Sequence, residues 1–333
     1  MKITSFATIL GIACTQVPAN ANEAPPPPAL RVHLLGTGGP ELVPDRAGYT
    51  TLVEAPGLSD PAGLLLFDVG RGALQRLYEQ RINPRRVTSI FLTHLHSDHI
   101  AGLADLWMTP WFLLGRTAPL EVWGPPGTSA MVAGMRVMYA HDVKGRQNPF
   151  NAAEGIAINV HEVTPGTISE QGGVRVLAFT VEHGDGDPAF GYRIERMGRA
   201  VTLSGDATMS EGLIANARGT DLLVQNVIAF SPRLSATPEM QGVLAKLTTP
   251  EQAGRLISEA TPRLTVFSHI VKKELPGEAG DKVILDRVRA TGARFPIVMA
   301  HDREIVEIGK KISVLPAPSL SGLPELDSKS APF

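Results

Sequence analysis

The sequence predicts a mixed α/β (α+β) fold in which two β-sheets pack face to face and helices cover their outer faces. Strand-like and helix-like segments alternate along the chain, and each half begins with strands and closes with helices. The strands come in runs that suit antiparallel pairing, which favours two packed sheets. The 333 residues are 43% hydrophobic, enough for a large core. No linker interrupts the body of the chain, so we expect one domain over residues 30–315.

The first 29 residues indicate an export signal and a spacer. Lys2 supplies a positive charge, a short apolar run follows, and Ala19-Asn20-Ala21 fits a small-residue cleavage site. We therefore expect a signal peptide over residues 1–21 and a periplasmic or secreted protein. The apolar run is too short to span a bilayer, and the four prolines within residues 22–29 make a stiff extended spacer. An N-terminal strand or tail of a cytosolic protein is the alternative.

Cysteine content and charge narrow the function classes. Cys14 is the only cysteine and lies in the expected signal, so cleavage leaves a mature chain without disulfides, whose metal ligands must be His, Asp or Glu. A lipoprotein anchored through Cys14 is the weaker alternative, because Gly11-Ile12-Ala13 fits a lipidation signal poorly. The net charge of −2 gives no basic excess for a long polyanion, so no nucleic-acid partner is expected.

The elements follow in order after the spacer. Apolar, β-branched runs bounded by Gly and Pro turns predict strands, and apolar residues three or four apart, such as Leu74, Leu77 and Tyr78, predict helices. The expected strands cover 30–35, 50–55, 63–67, 87–92, 120–123, 156–163, 174–181, 189–194, 200–203, 222–225, 264–267, 295–299 and 304–308. The expected helices cover 72–81, 101–114, 128–139, 211–217, 250–260 and 282–290. Residues 142–155 are expected to be an irregular flap, and residues 316–333 a loose tail.

The densest chemical signal is the segment Thr93-His94-Leu95-His96-Ser97-Asp98-His99. Three of the nine histidines of the chain fall within six residues, between a strand and a helix. On an extended loop His94 and His96 point the same way, while Asp98 and His99 fall on the next turn. Imidazole and carboxylate ligands suit Zn²⁺, and also Mn²⁺ or iron. A His-rich surface loop is the alternative to a metal site.

Three further residues, His183, Asp206 and His269, each follow a predicted strand. Singly, a histidine at a strand end is more often a surface or capping residue. As a set of His, Asp and His at three strand ends, they supply the additional ligands that two ions need.

With these motifs, the chain resembles the metallo-β-lactamase-fold hydrolases, and within them the ribonuclease Z-like and arylsulfatase-like branch. The resemblance extends over residues 31–308. It rests on Leu35-Gly36-Thr37-Gly38 with Pro40 and Arg46, Phe67-Asp68-Val69-Gly70, the segment 91–99, Leu120-Glu121-Val122-Trp123-Gly124-Pro125, Glu182-His183-Gly184 with Ala189-Phe190-Gly191-Tyr192, Ser204-Gly205-Asp206 and Phe267-Ser268-His269.

The resemblance implies a four-layer αββα sandwich with two divalent transition-metal ions, zinc first and manganese or iron as alternatives. One ion would take His94, His96 and His183. The second would take Asp98, His99 and His269, and Asp206 would bridge the two. Asp68 would hold a ligand histidine by a hydrogen bond and so fix its tautomer.

The implied chemistry is hydrolysis by a water that two ions share and deprotonate. Asp98, Asp206 and His269 are therefore the catalytic candidates, although Asp98 as a purely structural ligand stays open. The sequence departs from ribonuclease Z where a His-Ser-Thr motif is expected, because Leu247-Thr248-Thr249 places Leu at the position of the histidine that assists the leaving group. Gln225-Asn226-Val227 replaces a usual His-Glu-Ala. A small phosphodiester or other small ester is therefore expected rather than tRNA.

Other residues carry weaker signals. Trp107 and Trp111 share a helical face, and core packing is favoured over substrate contact. His141 is a surface residue or a general acid above the metals, with the surface favoured. The pair His301-Asp302 lies in the last sheet turn, where a supporting role stays open.

Rival functions use the same site. A β-lactamase or lactonase needs the same nucleophile, and an exported protein suits the former. A mononuclear iron oxygenase of this fold is less consistent, since both Asp98 and His269 are present. A non-catalytic binding protein usually has a broken ligand set. The sequence leaves open the substrate, the metal, any general acid and a homodimer.

Overall fold

The computed structural model describes residues 27–149 and 151–326. The expected signal peptide over 1–21 lies outside the described residues, as do the start of the spacer and the end of the tail. None of the helices in the described part is long and apolar enough to cross a membrane.

Within the described residues the first sheet has eight strands, antiparallel on one side and parallel on the other. From edge to edge these are β15 (Ile312–Leu315), β14 (Glu304–Ile308), β1 (Leu30–Gly36), β2 (Thr50–Glu54), β3 (Leu64–Phe67), β4 (Ser89–Phe91), β5 (Leu120–Gly124) and β6 (Ile158–Glu162). Pairing is antiparallel from β15 to β3 and parallel from β3 to β6.

The second sheet has the same mixed character and seven strands in the described part of the chain. In order these are β13 (Ile297–Met299), β12 (Leu264–Lys273), β11 (Leu222–Phe230), β10 (Arg199–Leu203), β9 (Ala189–Arg196), β8 (Val174–Val181) and β7 (Gly166–Gln171). Strands β13 to β10 are parallel, and β10 to β7 are antiparallel. The expected antiparallel pairing therefore holds for only half of each sheet. The parallel halves carry most of the site, while His183 follows β8 in the antiparallel half of the second sheet.

Helices cover the outer faces of both sheets. The longer ones are α1 (Ala73–Glu79), α3 (Leu103–Phe112), α4 (Thr128–Arg146), α5 (Glu211–Ala217), α8 (Pro250–Ala260) and α9 (Gly277–Ala290); shorter ones are α2 (Ser97–Ile100), α6 (Pro232–Ser235) and α7 (Pro238–Leu244). Helix α8 shows how local sequence sets a helix boundary, because Pro250 takes its first position and Thr249 and Gln252 form a capping box. The Thr249 side chain accepts the backbone N–H of Gln252, and the Gln252 side chain accepts the backbone N–H of Thr249.

Three apolar clusters fill the gaps between the four layers. The inner faces of the sheets enclose one cluster, which includes Phe67, Phe91 and Tyr192. A second joins the second sheet to α5, α8 and α9, and a third joins the first sheet to α1, α3 and α4. Trp107 and Trp111 are buried in the third cluster, and their indole N–H groups donate to backbone carbonyls. The fold is thus the four-layer αββα sandwich, and these tryptophans are core residues.

Several segments differ from expectation, among them β7 and β15, for which no strands were predicted. Helix α4 continues to Arg146, so the irregular stretch expected from residue 142 starts later. An Arg146–Asp142 ion pair and the stacking of Arg146 on Phe112 stabilise its last turn. The sequence suggested a loop because these residues are polar and lie on an exposed face of the helix. Helices α6 and α7 were not predicted, although Ser231 and Pro232 at the start of α6 are ordinary helix-start signals.

The C-terminal segment lies against the first sheet's side of the molecule. Residues 316–326 form no helix or strand. The carbonyls of Ser321 and Pro324 accept hydrogen bonds from Arg81 and Tyr78, and that of Pro318 accepts one from Arg303.

Candidate metal centre

The candidate site lies where strand ends of the two sheets meet. Asp68 follows β3, His94 follows β4 and Asp206 follows β10, while His269 lies within β12. Because β3 and β4 are parallel, and β10 and β12 both run parallel to β11, the carboxyl ends within each group face one edge of their sheet. The shared edge explains how residues up to 201 positions apart, from Asp68 to His269, come together.

All seven ligand candidates converge in two groups with a carboxylate between them. On one side His183 Nε2 lies 3.2 Å from His96 Nδ1, and the rings of His94 and His183 are 4.8 Å apart. On the other side Asp98 Oδ2 lies 3.3 Å from His269 Nε2 and 3.7 Å from His99 Nε2. The donor atoms of His94, His96 and His183 lie within 4.8 Å of one another, as do those of Asp98, His99 and His269.

Asp206 touches both groups. Its Oδ1 lies 3.5 Å from His99 Nε2, and its Oδ2 lies 3.2 Å from His269 Nε2 and 3.6 Å from His183 Nε2. The side chain is buried and central, as a bridging ligand requires.

Potential ligand atoms without hydrogen-bond partners show that this set of side chains fits metal ions. His94 Nε2, His99 Nε2 and Asp206 Oδ1 are buried and have no hydrogen-bond partner among the described residues. A buried polar atom without a partner costs free energy unless something else binds it. Three such atoms converging at one point, all good ligands for zinc, are what a metal site requires.

One buried carboxylate orients a histidine of each group. Asp68 Oδ2 lies 2.8 Å from His99 Nδ1, which leaves His99 Nε2 free to bind a metal ion. The same oxygen accepts the Thr93 hydroxyl proton at 2.8 Å, and Thr93 Oγ1 lies 3.0 Å from His94 Nδ1. Since the hydroxyl donates to Asp68, it accepts from His94, and this leaves His94 Nε2 unprotonated. Thr93 was not singled out from the sequence; its place between a ligand histidine and a strand was the available signal.

His183 is oriented by backbone instead. Its Nδ1 lies 2.9 Å from the carbonyl oxygen of Lys246 and donates to it, which leaves Nε2 to face His96 and Asp206. The Lys246 amino group reaches back to Asp185, two residues beyond His183. A backbone partner of this kind leaves no signal in the sequence.

His269 owes its direction to an interruption in strand pairing. Gln225 pairs with Phe267 and Val227 with Ile270, so Asn226 alone stands opposite Ser268 and His269. Bulges of this kind turn a side chain out of its strand, often beside active sites. His269 accordingly has φ of 48°, and Asp68 has φ of 56°, in the left-handed region that non-glycine residues rarely adopt.

Charges in the site favour bound cations. Burial alone raises the pKa of Asp206, but the neighbouring His269 and His99 bring it well below its ordinary value. Burial opposes the charged form of His99, yet Asp206 and Asp68 outweigh it and raise the pKa of His99 well above its usual range. Burial, with the charge of His99, lowers the pKa of His94 well below the usual value. Carboxylates that hold positive charge this firmly also stabilise divalent ions.

Other residues singled out from the sequence lie elsewhere. Leu247 is buried in an apolar cluster with Ile228, Phe230 and Val271. His141 is exposed in the last two turns of α4, consistent with a surface residue. Asp302 accepts hydrogen bonds from the Thr37 backbone and hydroxyl, so it holds the loop whose Gly39 packs near the ring of His269.

Fold and site together define a metal-dependent hydrolase. The family model described as a β-lactamase superfamily domain matches residues 64–270. Ribonuclease Z of Mycobacterium bovis (strain BCG / Pasteur 1173P2) is 39% identical over 202 residues, which cover 60% of this chain and 70% of that protein. Ribonuclease Z of Mycobacterium sp. (strain KMS) is 34% identical over 296 residues, which cover 86% of this chain and 99% of that protein.

Among solved structures, the short form of human tRNase Z superposes with a TM-score of 0.62 at 21% identity, over 84% of this chain and 99% of that one. The protein therefore belongs to the metallo-β-lactamase superfamily, in its ribonuclease Z-like branch.

Proposed function

We propose that the centre holds two divalent transition-metal ions, zinc first, and hydrolyses a small phosphodiester or another small ester. The observation that carries the proposal is the arrangement of two ligand groups around Asp206, with buried donor atoms that lack protein partners on both sides. One ion takes His94, His96 and His183. The other takes Asp98, His99 and His269, with Asp206 between them.

The residues around the centre divide the remaining work. Two such ions lower the pKa of water and stabilise negative charge on the ester. Burial raises the pKa of Asp98, but its bond to His269 and the charge of His99 bring it below the ordinary value. Asp98 is therefore ionised at neutral pH and can accept a proton from the attacking water. His96 is the least buried of the seven, so the substrate reaches the centre from its side.

Position 247 favours a small substrate with a good leaving group. In the ribonuclease Z pattern this position holds a histidine that assists the leaving group, whereas here Leu247 is packed against Ile228 and Phe230. A buried leucine has no proton to give. An ester whose leaving group is already a stable anion needs no proton from the protein. Such esters are the substrates we expect.

RNA is the second candidate, and sequence identity supports it. The relatives at 34% and 39% identity are named ribonuclease Z, which runs against the expectation that nucleic acid is not a substrate. A net charge of −2 and the Leu at position 247 are the observations against it.

A substrate panel on zinc-loaded enzyme distinguishes these functions. The panel holds a phosphodiester, a phosphomonoester, a sulfate ester, a lactone, a β-lactam and a precursor tRNA, with the metal-depleted enzyme as control. We expect the highest kcat/KM on the small phosphodiester and none without metal. Efficient cleavage of the precursor tRNA with a weaker reaction on the small diester would contradict the proposal in favour of the ribonuclease.

We also propose that the chain is exported, because residues 2–21 have the charged, apolar and small-residue order of a signal peptide. Mass spectrometry of the protein made in its own cells should find a mature chain that starts near Asn22. A mature protein that retains Met1 would overturn export, and a lipid on Cys14 would replace it with anchoring.

A further inference from the structure

The carboxylate of Asp206 depends on its backbone for its position. Its Oδ1 has no hydrogen-bond partner among the described residues, and the carboxylate lies 3.2 to 3.6 Å from the Nε2 atoms of the ligand histidines His99, His183 and His269. The residue before it, Gly205, has φ of 58°, and a Cβ there would lie 2.7 Å from the carbonyl oxygen of Phe190. The turn at 205–207 is thus tight and has a rarely adopted backbone conformation, so other contacts must stabilise it.

The amide of Asn226 bonds to both sides of that turn. Its Nδ2 donates to the carbonyl of Gly205 at 2.8 Å and to that of Ala207 at 2.9 Å. Its own backbone N–H donates to Ser204 Oγ at 3.0 Å. Asn226 is 2% exposed, so these bonds do not compete with bulk water.

The same side chain also joins the segment behind His183. Asn226 Oδ1 accepts the backbone N–H of Thr248 at 3.0 Å, and the Thr248 hydroxyl donates to Ala207 O at 2.7 Å. Two residues earlier, the carbonyl of Lys246 accepts from His183 Nδ1. One amide therefore connects the turn that carries Asp206 with the segment that orients His183.

Only a side chain with two donors and one acceptor makes this set of bonds. Asparagine has both, whereas an ionised carboxylate only accepts. Aspartate of the same shape would place negative charge against the carbonyl oxygens of Gly205 and Ala207, and it would lose both donated bonds.

We propose that Asn226 is a positioning residue, an inference that rests on the metal centre proposed above. Its side chain clamps the Asp206 turn to the 246–248 segment. The clamp sets the distance between the bridging carboxylate and His183 before any ion binds. Loss of a residue that orients metal ligands weakens metal affinity by about 10- to 100-fold.

The test measures zinc affinity of metal-depleted protein by competition with a chromophoric chelator, alongside melting temperature. The variants are Asn226→Asp and Asn226→Ala; the second removes the clamp without adding charge and decides the matter if the first does not fold. Asn83→Asp is the matched control, because it makes the same amide-to-carboxylate change at an equally buried position whose side chain bonds the backbone N–H of Arg85, outside the metal centre.

We expect zinc affinity to fall about 10-fold in Asn226→Ala and further in Asn226→Asp, with native affinity in Asn83→Asp even where its melting temperature falls. Native zinc affinity in folded Asn226→Ala would overturn the clamp, as would an equal loss in Asn83→Asp. Failure of the wild-type protein to bind zinc would refute the metal centre itself, which is a different result.

Discussion

The two sheets support the metal centre in different ways. The first sheet uses a buried carboxylate, Asp68, which bonds a ligand ring directly at His99 and another through Thr93. On the side of the second sheet the supports are neutral groups: the amide of Asn226 on β11 and the carbonyl of Lys246 in the loop between α7 and α8. Asn226 holds backbone rather than rings.

The difference separates two tasks. A charged support changes the proton and metal affinity of the histidines it touches, because it adds a negative charge beside them. A neutral amide fixes the positions of the ligands, but it adds no charge that would change the proton or metal affinity of the histidines. Loss of either support should therefore weaken metal binding, but only loss of Asp68 should change its dependence on pH.

The largest effect should come from removing Asp206, the carboxylate that contacts both ligand groups. In Asp206→Ala the two groups lose their shared ligand, so we expect at least about 10³-fold lower kcat/KM and the loss of one bound ion. Elemental analysis and kinetics on the same sample check both. Asp60→Ala, which removes an exposed carboxylate paired with Arg86, is the control. Full activity in Asp206→Ala would show that the bridging assignment is wrong.

Asp68→Asn should come next, because it keeps the shape and removes the charge. We expect zinc affinity to fall about 10- to 100-fold. In the wild type, the pKa of His99 is raised by Asp206 and Asp68 against the effect of burial, so protons compete with zinc above the ordinary histidine range.

Protons and zinc compete for His99, so zinc affinity depends on pH. Zinc affinity should fall as pH is lowered through the raised pKa of His99, and Asp68→Asn should move this fall to lower pH. Calorimetric titrations across pH measure it. An unchanged pH dependence in Asp68→Asn would contradict a role for its charge.

Thr93→Val should have a smaller effect, restricted to the ion bound by His94. The valine cannot accept the proton on His94 Nδ1, so the ring can rotate or change tautomer, while the bond of Asp68 to His99 remains. We expect about 10-fold weaker binding of one ion and little change for the other. Thr93→Ser keeps the hydroxyl and should restore binding; if serine and valine behave alike, the hydroxyl has no such role.

A charge pair far from the centre should have the smallest effect. Arg287 on α9 pairs with Glu251 on α8 at 2.8 Å, and both side chains are partly exposed. Arg287→Ala should cost less than about 1 kcal/mol of unfolding free energy and leave zinc affinity unchanged. Chemical denaturation and zinc titration check this. A change in zinc affinity would show that the residues supporting the metal centre extend to α8 and α9.

The ligand candidates stand out in the sequence because each follows a predicted strand and is a metal-binding type. His94 to His99 form one dense segment, and His183, Asp206 and His269 become informative once strand ends are known to share an edge. Asp68 was also predictable, through the resemblance. The fold class followed from the same strand and helix pattern.

The supports of the second sheet could not be predicted in the same way. Lys246 acts through its backbone carbonyl, and the side chain of Asn226 acts on backbone carbonyls, and backbone atoms carry no residue type. Position 226 stood out only as a departure from Glu, which gave no hint of a clamp. The bulge opposite Asn226, which turns His269 into the site, likewise depends on how β11 and β12 pair and not on local propensity.

The number of ions that the protein binds tests the central claim most directly. Metal-depleted protein is titrated with Zn²⁺, freed of excess metal, and analysed for zinc per chain. We predict saturation at about two ions per chain, with phosphodiesterase activity rising with occupancy. Saturation at one ion would contradict the dinuclear centre, and no bound zinc with no gain in activity from Zn²⁺ or Mn²⁺ would contradict the metal site.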